Sequence, residues 1–172
     1  MSEVLVIRRE IYGEMHRETL DTKTVLIECY KKLGMEEEAE EMQREVAFLR
    51  EVVLGAHHNE TIISKENYAN LLFRRKKVKE AEVVNSEVIE LKAKVYGPAH
   101  GNTLRTKYLQ ARILMEEGQL KEAGKLAAFV AEASETQVGE FDSLTVTSRQ
   151  LKEEIWEKVV AQGESLPQKP LK

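Results

Sequence analysis

Histidines, a cysteine and a cluster of cations are the residues of this chain that could do chemistry, and their spacing decides which chemistry is open to them. His16, His58 and His100 recur 42 residues apart, and His57 adjoins one of them. Imidazoles can hold a metal, but the ligands must converge to roughly 2 Å from one ion, which residues separated by a whole structural repeat cannot do. The spacing predicts instead a loop histidine that bonds the start of the next helix. Cys29 is the single cysteine, which excludes an intramolecular disulfide and a cysteine-built zinc site. A nucleophilic thiolate needs exposure and a neighbouring base. Cys29 shares its register with Leu71 and Ile113, so a buried apolar role is expected. No phosphate-cradling glycine loop, His-Glu-x-x-His pair or nucleophile elbow occurs. No catalytic residue, metal site or cofactor is therefore expected, and an enzyme is disfavoured.

The elements that carry these residues follow the same interval. Gly13, Gly55, Gly97 and Gly139 stand 42 residues apart, and six positions beyond each come Thr19, Thr61, Thr103 and Thr145, followed by Leu20, Ile62, Leu104 and Val146. Glycine, threonine and aliphatic registers kept in phase over four copies are the mark of a stacked repeat array. Ala39, Ala81 and Ala123 add a small-residue register, where a methyl group lets two helices approach closely.

Composition agrees. One third of the 172 residues are charged, three are proline, and 26 basic against 30 acidic residues give a net charge of −4. A mixed, weakly acidic chain of this kind disfavours a nucleic-acid partner. No run approaches the roughly 20 apolar residues of a membrane-spanning helix, and Val4-Leu5-Val6-Ile7 is followed at once by Arg8-Arg9, without the pattern of a secretory signal. Membrane insertion is not expected, and the default location is cytoplasmic.

Apolar periodicity places the helices. The first repeat has one helix from about Thr19 to Leu33, with Leu20, Val25, Ile27, Cys29, Tyr30 and Leu33 as its apolar residues and Gly34 as its stop. A second runs from about Glu36 to Val53. The next copies predict helices from about Thr61 to Arg75, Val78 to Val95 and Leu120 to Gln137. Residues 13–54, 55–96 and 97–138 are the three repeats. Ile7 to Gly13 aligns with Leu49 to Gly55, so residues 2–12 read as the second half of a unit. The apolar side of that half-helix, Val4, Ile7 and Ile11, must find another cover. Residues 144–160 read as a capping helix with a charged outer side, and residues 161–172, with two prolines, as a flexible tail. The expected fold is all-α: one right-handed α-solenoid of antiparallel helix pairs over residues 1–160, with about seven main helices and an N-terminal half-helix.

Val95-Tyr96-Gly97-Pro98-Ala99-His100-Gly101-Asn102-Thr103-Leu104 and the turn Gly118-Gln119-Leu120-Lys121-Glu122-Ala123 carry a resemblance to tetratricopeptide repeats of the 42-residue class, similar to those of kinesin light chains. Arg17, Asn59 and Gly101 stand where that class has a proline after the loop histidine. The resemblance implies a protein–protein interaction scaffold whose groove is lined by the first helix of each repeat. By position it implies partner contact at Lys23 in repeat one, at Lys65, Glu66, Asn67 and Asn70 in repeat two, and at Arg105, Lys107, Gln110 and Arg112 in repeat three. Several are basic, so an acidic or extended peptide is the expected partner. A subunit that docks or self-associates through Val4, Ile7 and Ile11 is the alternative. The Arg74-Arg75-Lys76-Lys77 run ends a first helix, where the dipole favours cations, and it should pair with the Glu36-Glu37-Glu38 turn of the preceding repeat.

Overall fold

The structure, a computed structural model, describes residues 2–163. Among these the regular elements are eight α-helices: α1 (Ser2–Tyr12), α2 (Arg17–Leu33), α3 (Glu36–Leu54), α4 (Asn59–Arg74), α5 (Val78–Tyr96), α6 (Gly101–Glu116), α7 (Leu120–Val138) and α8 (Ser143–Ala161). They fall on the helices expected from the periodicity, to within one or two residues at each end. Of the expected tail, Ala161 still belongs to α8, and residues 164–172 lie outside the described residues. The chain divides into two compact units, Met1–Val84 and Asn85–Lys172.

One linker chemistry, used four times, fixes where the first helices begin. Each preceding helix ends on a glycine at positive φ; Gly55 has φ 85 and ψ 160, and Gly139 has φ 100 and ψ 166, a region essentially closed to residues with a Cβ. Three residues later an N-cap side chain accepts from the backbone N–H two positions on: His16 Nδ1 from Glu18 at 3.3 Å, His58 from Glu60 at 3.3 Å and His100 from Asn102 at 3.2 Å. Asp142 does the same for Leu144 at 2.8 Å. Such caps satisfy a donor that the helix itself leaves open. The loop histidines are thus helix caps, as their spacing predicts. The in-phase threonines close the turn: the hydroxyls of Thr19, Thr103 and Thr145 donate to the carbonyls of Gly13, Gly97 and Gly139 at 2.8, 2.8 and 2.9 Å. Thr61 donates to the Arg50 carbonyl at 3.1 Å instead.

The turn inside each hairpin has its own device. Gly34, with φ 74, and Gly118, with φ 79, adopt the left-handed conformation that ends a helix, and Lys76 takes the same place with φ 60. At all three the next residue's N–H reaches back in the Schellman pattern: Met35 to Tyr30 O at 2.9 Å, Lys77 to Leu72 O at 3.0 Å and Gln119 to Leu114 O at 2.9 Å.

In the first unit the core joins Ile27 of α2, Ala39 and Val46 of α3 and Leu71 of α4, with Tyr30 and Met42 against it. In the second, Ala111 of α6, Leu120, Ala123 and Ala127 of α7 and Leu151, Ile155 and Val159 of α8 form one cluster, while Leu104, Val130 and Leu144 form another. Ala39, Ala81 and Ala123 are fully buried, as close helix approach requires. Several expected core residues are not buried. Val25 and Leu33 are exposed, because the buried stripe of α2 passes through Leu26 and Ile27 instead. Cys29 is half-buried, for the helix in front of α2 is α1, only 11 residues long. Val146 is exposed where Leu20, Ile62 and Leu104 are buried. Unlike α2 and α6, α8 has no described second helix folded back onto it.

Candidate interaction site

Two side-chain registers join second helices to the first helices that follow, one at three joints and the other at two. At the joints from α1 to α2, from α3 to α4 and from α5 to α6, a cation donates to a hydroxyl 14 residues ahead. Arg8 reaches Thr22 at 2.8 Å, Arg50 reaches Ser64 at 2.8 Å and Lys92 reaches Thr106 at 2.9 Å. Arg50 also pairs with Asp21 at 2.9 Å. At the joint from α7 to α8 the donor position is Ser134, which is too short to span the gap. Ser148 Oγ is accordingly buried without a partner. One register over, Gln43 donates to the Ser64 carbonyl at 3.0 Å and Asn85 to the Thr106 carbonyl at 3.2 Å and Gln110 Oε1 at 2.8 Å. The Nδ2 group of Asn85 is answered in this way, whereas its Oδ1 is buried without a partner, a cost that the rest of the joint offsets.

The expected contact residues separate into two groups on this frame. Lys23, Lys65 and Gln110 do not point outward: they are only 3%, 7% and 8% exposed. Each is used inside its own unit. Lys23 pairs with Glu14 and, at 2.7 Å, with Glu45. Its hydrogen bond to Glu14 outweighs burial and holds that carboxyl below the usual carboxylate range. Lys65 pairs with Glu51 at 2.8 Å, and Gln110 receives Asn85. Asn67, Asn70, Arg105 and Arg112 are exposed, while Glu66 and Lys107 are half-buried.

Lys23, Lys65, Lys107 and Arg149 occupy one register, 42 residues apart. Arg149 pairs with Glu135 at 2.8 Å, the same 14-residue reach that joins Lys65 to Glu51. Lys107 differs from all three. Its Nζ donates to the Pro98 carbonyl at 2.9 Å and lies 4.5 Å from the centre of the Phe129 ring. No carboxylate of the described residues pairs with it, and burial pushes its pKa down.

The cation run is answered within its unit. Arg74 meets Glu36 at 3.3 Å, Arg75 meets Glu37 at 2.9 Å and also Glu40, and Lys77 meets Glu40 at 2.6 Å. This is the pairing between successive turns that the sequence predicts, extended to Glu40. Burial works against the Glu40 carboxylate, but the hydrogen bonds from Lys77 and Arg75 hold its pKa below the usual range.

Val4, Ile7 and Ile11 are all exposed. Val4 shares its register with Val46, which is fully buried while Val4 is 45% exposed. Val46 packs on Ile27 of α2, and α1 has no such helix in front of it in this structure. Sequence reasoning missed the joints made by Arg8, Arg50 and Lys92, and Phe129 beside Lys107. For the joints the signal was present as a second interval of 14 residues nested in the first; Phe129, 22 residues beyond Lys107, lies outside that interval.

No family model matches the chain, and no curated protein matches it at a significant level. Solved structures do. A protein of Podosopora anserina assigned as a kinesin light chain, with nearly identical TPR-like repeats, superimposes with a TM-score of 0.80 at 20% identity, covering 94% of this chain and 77% of that one. A single-substitution variant of the same protein gives 0.81 at 20% identity, over 94% and 76%. BtubC (BKLC) of P. vanneervenii gives 0.65 at 12% identity, over 90% and 68%. At these identities the likeness speaks to fold, and the chain has the all-α, tetratricopeptide-like repeat fold of an α-solenoid built from antiparallel helix pairs.

Proposed function

We propose that this chain is a non-enzymatic protein–protein interaction module that binds an acidic or extended peptide segment through the exposed polar residues of its first helices. The observation that supports this most is the charge of α6. In a chain of net charge −4, this helix carries Arg105, Lys107 and Arg112 and a single carboxylate, Glu116 in its last turn. Arg105 and Arg112 are exposed. Basic residues held on a rigid helix recognise carboxylates through charge-assisted hydrogen bonds and steer an acidic partner toward them. The reading needs no cofactor, metal or nucleic acid, and no described helix is long and apolar enough to cross a membrane. It assigns the module to the cytoplasm.

The test is a selection of random dodecapeptides displayed against the full chain. The reading expects binders, and expects Arg105→Glu with Arg112→Glu to weaken them at least tenfold while the helical circular dichroism is unchanged. Undiminished binding, or no binder at all, overturns it.

A second reading rests on the exposure of Val4, Ile7 and Ile11, in register with positions on α3: a subunit that docks, or self-associates, through α1. Sedimentation then gives a mass above the monomer that Ile7→Glu returns to the monomer. A clean monomer with α1 ordered counts against it.

A further inference from the structure

The register of Lys23, Lys65, Lys107 and Arg149 is an internal control, because the same position is built four times in one chain. Three of the four cations are neutralised by carboxylates of their own unit: Lys23 by Glu14 and Glu45, Lys65 by Glu51, and Arg149 by Glu135. Around Lys107 each of those acids has been replaced. Where Glu14 serves Lys23, Lys107 has Pro98; where Glu45 serves Lys23, it has Phe129; where Glu51 and Glu135 serve Lys65 and Arg149, it has Ala93. The acids that pair with this register elsewhere do not pair with the cation that was itself kept. Lys107 is half-buried, one of its protons goes to the Pro98 carbonyl, and its ammonium lies over the Phe129 ring.

We infer that Lys107, with Phe129 beside it, is the subsite that takes a carboxylate side chain of a bound acidic peptide. This rests on the interaction-module reading and gives it one named contact. The incoming carboxylate fills the role that Glu51 and Glu135 fill in the equivalent joints. Phe129 holds the ammonium in place through its ring face, a contact that survives when the carboxylate leaves. The lowered pKa of Lys107, caused by burial, agrees with a cation that lacks a counter-charge until the peptide supplies one. Arg105 and Arg112 on the same helix are exposed and give the peptide its wider electrostatic attraction.

The deciding variant is Ala93→Glu, which restores the internal acid found at Glu51 and Glu135. The probes are the dodecapeptides selected against the full chain, with affinities measured by fluorescence anisotropy. The inference expects one fixed Asp or Glu position in those peptides. It expects Ala93→Glu to weaken them at least tenfold while raising the melting temperature, and Lys107→Met to weaken them by a similar factor. Replacing the fixed acid by Asn or Gln should cost the wild-type chain the same factor and cost Ala93→Glu little. Should Lys107→Met fail to fold, the Ala93→Glu and peptide arms decide. Peptides that respond to Arg105→Glu with Arg112→Glu but ignore Ala93→Glu overturn this inference and leave the interaction module standing. Failure to select any peptide removes both.

Discussion

The two units use one 42-residue template and stabilise it by different means. Glu40 in the first unit and Gly124 in the second share a register. Glu40 is bound by Arg75 and Lys77 from the end of the next first helix. Gly124 carries no side chain because the Trp156 ring lies against it; a Cβ built there would come within 2.6 Å of the ring. The same place is held by ions in one unit and by an aromatic plate in the other. The difference shows that the repeat specifies backbone geometry at its linkers and leaves each hairpin free to choose how it is held. The cation register repeats the lesson, with Lys65 answered by Glu51 and Lys107 by a carbonyl and a ring.

Three measurements sharpen that contrast. The largest effect is expected for Gly124→Ala, where the added methyl displaces Trp156. Overpacking of this kind costs about 1–3 kcal/mol, partly offset by the better helix propensity of alanine. Trp156 is the single tryptophan, so its fluorescence should shift to the red together with the loss of stability seen in urea unfolding. Unchanged emission would mean that the ring does not fill this space.

Lys76→Gly should come next. The left-handed conformation that Gly34 and Gly118 adopt costs a residue with a Cβ about 1 kcal/mol, so the variant should gain roughly that amount, read as a higher urea midpoint with the same slope. A lower midpoint would show that the lysine side chain does more for the turn than its backbone costs.

Acid should separate the units by the smallest margin. Glu14 and Glu40 both belong to the first unit, and both have lowered pKa values in the folded state. Their contribution is therefore complete above the unfolded carboxylate value of about 4.3 and is lost as the pH falls through the depressed folded values. Both pairings are partly open to solvent, so the effect is screened. Amide exchange in α2 to α4 should accelerate more than in α6 to α8 as the pH is lowered from about 5 to about 3, an order that high salt should blunt. Equal acceleration would remove the ionic part of the contrast.

Much of this architecture was legible because it depends on local rules. The glycine, histidine and threonine registers are backbone requirements of a linker a few residues long, and each expected helix formed. The Arg74–Lys77 run could be paired with its acidic turn because charge and period agreed. Lys23 and Lys65 were misread for the opposite reason. A lysine on a helix is ordinarily solvated, and its burial here is made possible by Glu14, Glu45 and Glu51, which lie on other segments. Val25 and Leu33 fit a helical spacing and yet face outward, since periodicity fixes the stripe only to within a residue on each side. The exposure of Val4 follows from what packs on α1, which its own residues do not encode.

The joints also bear on how the chain reaches its native state. The Arg74–Glu36 contact spans 38 residues, and the cation-to-hydroxyl bonds of the joints span 14. Contacts this close in sequence close small loops, at low entropic cost, and chains dominated by them fold fast. Within each unit a helix pair can therefore set as soon as the next first helix leaves the ribosome, before the rest of the chain is made.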